Sequence, residues 1–297
     1  MPDVTTEMDG VLITESSPPS REGAQQPHLT LRASSGWQAV NLAQLWQYRG
    51  LLLSLAVRDV KLRYKQTALG VIWVVFQPLM AAGIFSFVFG TVAKMPSGGL
   101  PYFLFSYAGL LGWNAFSGTL GKCSSSLVGN SHLISKVFFP RLILPLSTVF
   151  SSLLDFAVAM GMMATLLVIY GVTPGWGILL LPLWLLLILS YSIGVGLLTA
   201  ALTVSYRDVQ YILPVALQFL LYASPVAYAV SAVPAHLHWI YYLNPLSSLL
   251  EGFRWSLLGS SQPPLLNVIY TAVGGVLVFV AGAFAFKRME KTFADLI

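Results

Sequence analysis

The sequence predicts an all-α integral membrane protein: six transmembrane helices, an N-terminal amphipathic interface helix, and a re-entrant helical hairpin between spans five and six. Three observations carry this reading. Of 297 residues, 56% are hydrophobic and only 9% charged, against about 45–50% and about 25% in a soluble domain, so polar side chains are too few to coat a compact body in water. Beyond Gly70 come six apolar stretches, at about 70–93, 101–121, 141–170, 178–204, 209–230 and 265–286, each near or above the roughly 20 residues that cross a bilayer. Finally, fourteen of the sixteen basic residues fall on one side of the alternation these spans impose, leaving only Lys94 and Arg254 for the other. The positive-inside rule then places both termini in the cytoplasm.

Taken in order, residues 1–36 hold five acids and two bases among Ser, Pro and Gln, the composition of a disordered, solvated cytoplasmic tail. Its only apolar stretch, Val11-Leu12-Ile13, is too short for a secretory signal. Residues 37–297 form the transmembrane domain. A helix over 51–66 places Leu53, Ala56, Val57, Val60 and Tyr64 on one stripe with Arg58, Lys61 and Lys65 beside it. Asp59 and Arg63 stand at the favourable i,i+4 spacing, and a basic helix of this length lies in the interface rather than across the membrane. An anchor on anionic lipid is the plain alternative to a docking role.

The connection at 231–264 is too apolar for a watery loop, yet Pro234 and Asn244-Pro245 break it. Residues 245–258 make a helix of about 21 Å, short of the ~30 Å hydrocarbon core, with Asn244 as N-cap and Pro245 at the first helical position. A re-entrant hairpin fits best, and an aromatic belt lying flat in the interface is the alternative.

Catalytic chemistry is sparse. Between Gly70 and Phe286 the acids are Asp155, Asp208 and Glu251, and His28, His132, His236 and His238 are scattered, so neither a metal centre nor a general acid–base pair is expected. Gly118-Thr119-Leu120-Gly121-Lys122 lacks the phosphate-loop spacing, and Cys123 stands where Ser or Thr is needed. Cys123 is the only cysteine. The basic residues sit at the ends of apolar runs rather than in an aromatic-interleaved stripe, which argues against nucleic acid. Asp155, about 21 Å along its span from Arg141, is either a proton or substrate contact or a hydrogen-bonded carboxyl within the bundle. With no basic partner visible in any span, the second reading is preferred.

Several segments together resemble a known family. Arg58-Asp59-Val60-Lys61-Leu62-Arg63-Tyr64-Lys65-Gln66-Thr67, then Leu69-Gly70, Trp73 and Gln77-Pro78, are similar to the approach to the first span in ABC-type permeases that export polysaccharides, whose best-known members carry lipid-linked O-antigen or teichoic acid. Asn130, Leu133-Ile134, Lys136-Val137, Phe139-Pro140-Arg141 and Pro145 resemble that family's loop into the third span, and Tyr206-Arg207-Asp208 and Asn244-Pro245 also match. The resemblance covers roughly residues 40–290.

It implies a homodimer working with two copies of a separate ATPase, which would bind the ATP and Mg, with no cofactor on this chain and a lipid-linked polysaccharide as substrate. It implies an ATPase-coupling helix near 123–139, for which a helix over 129–139 supplies Asn130 as cap, Leu133, Ile134 and Val137 as an apolar patch, and Lys136 for an acidic rim. It implies a gate for the lipid head group built from Arg58, Lys61, Arg63, Tyr64, Lys65, Arg207 and Asp208. Trp73, Phe76, Tyr102, Tyr107, Trp113 and Tyr222 either line a sugar channel or face lipid and core. The competing readings are a proton-coupled secondary transporter using Asp155 and, more distantly, an intramembrane enzyme on lipid substrates; neither the internal repeats of the first nor the polar cluster of the second is visible.

The base distribution predicts that a cysteine engineered in the N-terminal tail is shielded from an impermeant outside reagent while one at position 236 reacts with it. The opposite labelling pattern overturns the orientation.

Overall fold

The computed structural model describes residues 42–65, 72–260 and 262–293, and every regular element among them is helical. The tail at 1–36 and the motif residues Gln66, Thr67, Leu69 and Gly70 lie outside the described residues. In order come α1 (Leu42–Gln47), α2 (Arg49–Lys65), α3 (Ile72–Phe85) running on through a π-helical turn (Ser86–Val92), α4 (Tyr102–Gly129), α5 (Ser131–Ile134) and α6 (Ile143–Tyr170). They are followed by α7 (Leu181–Ser205) after a 3-10 turn (Trp176–Leu180), α8 (Val209–Ala223), α9 (His238–Leu243), α10 (Pro245–Leu258) and α11 (Leu265–Met289).

Four stretches are long and apolar enough to cross a membrane: Ile72–Val92, Ile143–Tyr170, Trp176–Ser205 and Leu265–Met289. The second expected span is the central helix. α4 runs eight residues past its expected end, to Gly129, and eighteen of its 28 residues are buried. It carries Ser, Thr, Asn and Gly because its surroundings are protein: α6 and α7 flank it, and α3, α10 and α8 also touch it. The fifth is shorter than expected. α8 has 15 residues, about 22 Å, and ends at Ala223 because Pro225 pushes Ser224 into extended backbone.

Helix ends follow local chemistry. Gly171 closes α6 and Gly259 closes α10 with φ of 66° and 64°, the left-handed conformation a glycine tolerates at no steric cost. Asn244 caps α10 through its side-chain oxygen, which accepts from the Leu246 N–H at 3.1 Å, and Pro245 takes the first turn as the sequence predicts. Twelve of the fourteen residues of α10 are buried, against α4, α7 and α11. The exposed Trp239, Ile240 and Leu243 belong to the short α9 before it.

Arg254, expected at the edge of an apolar run, is 2% exposed in the middle of this packing. Its Nη2 donates to the carbonyls of Pro225 and Val226, the latter at 2.9 Å, and its guanidinium lies 3.9 Å from the centre of the Phe105 ring. Gly109 leaves the space: a Cβ there would collide with the Val226 carbonyl oxygen and with Nη2 of Arg254. At the opposite flank α7 and α11 touch backbone to backbone, since a Cβ on Gly282 would overlap the Gly194 carbonyl.

Two apolar clusters result. One surrounds Tyr107, Met163, Trp184, Leu250 and Phe253; the other joins Leu55, Ile134, Phe139, Ile143, Phe286 and Phe293 where α2, α5 and the C-terminal residues meet.

Arg254→Met strands the backbone carbonyls of Pro225, Val226 and Tyr228 in an apolar interior and is expected to cost about 3–5 kcal/mol. Gly109→Ala is expected to cost about 1–3 kcal/mol by overpacking the same point. Arg254→Lys, which loses the planar fork, restores only part of the stability. Unfolding of the detergent-solubilised protein by heat or by titrated SDS measures all three.

Candidate functional site

The polar residues picked out by the sequence gather around α2. Its packed face carries Leu52, Leu55 and Ala56 and continues into Asp59 and Arg63, set against α6. Leu53 and Val57, expected on the packed stripe, are exposed instead. The i,i+4 pair also resolves differently: Asp59 is held by its neighbour Arg58 at 2.8 Å, and Arg63 reaches 3.0 Å to Asp155.

Asp155 is therefore not an isolated carboxylate. Its Oδ2 also lies 2.7 Å from the Lys122 ammonium. The expectation that no span holds a basic partner failed because α4 extends beyond the predicted end at 121, which turns Lys122 from a loop residue into a helical one facing α6. One carboxylate thus ties α2, α4 and α6 together, at the rim of a cleft of about 60 Å³ lined by Pro78, Asn114, Gly118, Lys122, Ser152 and Asp155 among others.

The coupling region departs further from expectation. Instead of a helix over 129–139 there is the four-residue α5. Asn130 does not cap it: its Nδ2 donates to the Ser126 carbonyl at 2.9 Å, and its Oδ1 accepts from Arg58 at 2.6 Å. Ile134, expected in the exposed patch, is 9% exposed and belongs to the cluster with Leu55, Phe139 and Phe293. Leu133 packs against the same cluster. After one turn the chain reaches Phe139-Pro140, both buried, so the helix is too short to hold 133, 134 and 137 on one outward face. The side chains that do face outward are Lys136, Val137 at 55% and Phe138 at 71% exposed. Arg141 then fastens this segment to the C-terminal residues, its N–H donating to Glu290 Oε1 at 3.1 Å and its guanidinium to the Glu290 carbonyl.

Of the remaining expected gate residues, Lys61, Lys65, Arg207 and Asp208 are exposed, while the side chain of Tyr64 lies outside the described residues. The aromatics divide. Tyr107 is fully buried, its hydroxyl donating to the Ala159 carbonyl at 3.0 Å, and Trp113 is buried beside Phe116; both are core residues of the chain rather than channel lining. Tyr102 is half-buried and donates to the Ala227 carbonyl at 2.6 Å. Trp73, Phe76 and Tyr222 are exposed.

Sequence reasoning missed Arg254 and Lys122. The available signal was that α4 has no proline between Tyr102 and Gly129, and that Arg254 lies in the same predicted short helix as Glu251.

Four stretches long and apolar enough to cross lipid, packed around a central helix that carries Ser, Thr, Asn and Gly, define a multi-pass membrane protein. The chain belongs to the ABC-2 type transporter family, whose model matches residues 50–258. It is 30% identical over 256 residues to the O-antigen export system permease protein RfbA of Myxococcus xanthus, covering 86% of this chain and 98% of that protein. It is 28% identical to a protein of the same name from Klebsiella pneumoniae, over 83% of this chain and 95% of the relative. With the polysialic acid transport protein KpsM of Escherichia coli it shares 23% identity, over 80% and 93%.

Because Ile134 is a packing residue, Ile134→Asp buries an unpaired carboxylate and should cost several kcal/mol, about 2–5 by analogy with other buried polar groups. A lowered melting temperature of the purified chain, in the absence of any partner, is the expected observation.

Proposed function

We propose that this chain is the transmembrane subunit of an ATP-driven exporter that moves lipid-linked polysaccharide, O-antigen-like or teichoic-acid-like, from the cytoplasmic to the outer side of the bacterial inner membrane. The observation that carries the reading is the match along nearly the whole length of a relative named as an O-antigen export permease. In this reading α4 and α8 complete six spans, α2 lies at the cytoplasmic interface with the head-group gate, and α10 is the inner limb of a re-entrant hairpin opening to the outside. Both termini are cytoplasmic. The chain acts as a homodimer with two copies of a separate ATPase, which binds ATP and Mg, and carries no cofactor or catalytic group of its own.

The ATPase docks on Lys136, Val137 and Phe138. Two adjacent apolar side chains at a water-facing turn are costly unless a partner covers them, and the buried Ile134 with the partly buried Leu133 beneath them make the turn stiff enough to transmit force. The exposed Trp73, Phe76 and Tyr222 offer planar faces to passing sugar rings in the assembled dimer.

Co-expression with the ATPase encoded beside it tests the division of labour. Copurification and polysaccharide-stimulated ATP hydrolysis are expected, with no hydrolysis by this chain alone. Phe138→Asp should leave the melting temperature unchanged yet weaken association at least tenfold, the scale of a small interface losing an apolar anchor to a charge. Turnover by the isolated chain, or normal association of the Phe138→Asp protein, contradicts the reading.

A further inference from the structure

The chain does not simply stop where its last long helix ends. Lys287 and Arg288 in the final turn of α11 are enough to close an apolar run, and a chain end that is not tied down frays into water. Here it continues through a 3-10 turn (Glu290–Thr292) and returns Phe293 to the interior, fully buried. The Phe293 ring meets Phe286 of α11 edge to face at 5.4 Å and lies 5.8 Å from the Arg141 guanidinium. Glu290 adds polar ties in two directions. Its Oε2 is 2.6 Å from the Lys287 ammonium, which fastens the turn back onto α11. Its Oε1 accepts from the Arg141 N–H at 3.1 Å, and its carbonyl accepts from the Arg141 guanidinium.

These ties converge on the two roots of the exposed turn 135–138. Ile134 precedes the turn and Phe139 follows it, and both share one apolar cluster with Phe286 and Phe293. The Arg141 amide stands ahead of the first turn of α6, where an N–H has no acceptor in its own helix, and Glu290 supplies that acceptor. The turn's own backbone bonds are local, Lys136 and Val137 both donating to the Leu133 carbonyl, and a single helical turn is marginal without tertiary support. Its stiffness is therefore borrowed from the seat below. On the far side of that seat, Phe286 lies one turn beyond Gly282, where α11 meets Gly194 of α7 backbone to backbone. A load on Val137 or Phe138 thus passes through Phe293 and Glu290 into α11, and from α11 into α7.

We infer that residues 290–293 are a clamp that fixes the 135–138 turn to α11, with Glu290 and Phe293 as positioning residues through which movement of a docked ATPase is delivered to the α7–α11 pair. That the load on the turn comes from an ATPase rests on the exporter reading; the clamp itself rests on the contacts around Arg141, Glu290 and Phe293.

The test has two arms. In the first, amide hydrogen exchange is measured on the full chain in detergent, without ATPase. Glu290→Ala should speed exchange of the 133–139 amides at least tenfold while the amides of α4 keep their protection, the signature of one local opening. Glu290→Gln, which still offers an oxygen to the Arg141 N–H, should restore most of that protection. Phe293→Ala should loosen the same amides, but the test does not depend on it, because Glu290 is only partly buried and its substitution leaves the core intact. In the second arm the chain is copurified with the ATPase. Glu290→Ala should associate within twofold of wild type and hydrolyse ATP at the same basal rate, yet lose polysaccharide stimulation at least fivefold; a purely structural role would instead lower association and melting temperature together. Unchanged exchange at 133–139 in Glu290→Ala overturns the clamp, and a loosened turn with wild-type stimulation overturns its part in transmission. If wild type fails to associate with the ATPase, the exporter reading falls and so does the transmission role, while the exchange arm still decides the clamp.

Discussion

A guanidinium sealed inside apolar packing imposes the strongest constraint on this fold. Unpaired, such a group costs several kcal/mol in an interior that water does not reach, so whatever surrounds Arg254 must bring oxygen atoms to it. The chain after α8 does so by turning the carbonyls of Pro225, Val226 and Tyr228 inward, and α4 contributes the face of Phe105 and the gap at Gly109. The position of α10 then follows. It cannot slide along α4 without leaving both the guanidinium and three carbonyls unsatisfied, which explains how a helix of only 14 residues holds one register in the bundle.

Away from Arg254, polar contacts serve a different purpose. Among the described residues, α2 touches the rest of the protein at two polar points, Arg58 on Asn130 and Arg63 on Asp155, about 7.5 Å apart along the helix. The first joins it to the turn beside α5, the second to α4 and α6. These contacts are partly exposed, and ion pairs in such settings contribute little net stability. They are therefore cheap to exchange, and any displacement at the Lys136–Phe138 surface reaches α2 through side chains that can let go of one partner for another. Stable packing at one end and exchangeable charges at the other suit a protein that must hold its shape in lipid while one edge opens.

Much of the helical plan was legible in the sequence because lipid and helix geometry enforce it locally. Apolar runs of spanning length and Asn244-Pro245 at a helix start are each read without knowing any neighbour. What stayed hidden was decided by partners far off in sequence. Lys122 looked like a loop residue because a base normally ends an apolar run; Asp155, 33 residues away, keeps it inside. Ile134 and Val137 looked like one face because i and i+3 align on a helix, but the helix stops after one turn and Phe139-Pro140 draw the chain back to the core. Tyr107 and Trp113 looked like channel aromatics because burial on α4 depends on α6, α7 and α10 all packing against it.

The contact of Gly194 with Gly282 has a mechanical consequence. Where α7 and α11 cross through backbone atoms no side chain can give way, so at that point the two helices are held at a fixed distance and act as one spar. α8, by contrast, buries none of its residues. A cycle of opening and closing in such a body is borne by the loosely held helix swinging against a fixed frame, and wear in evolution should fall on the faces of α8 while the two glycines of the spar stay closed to any larger residue.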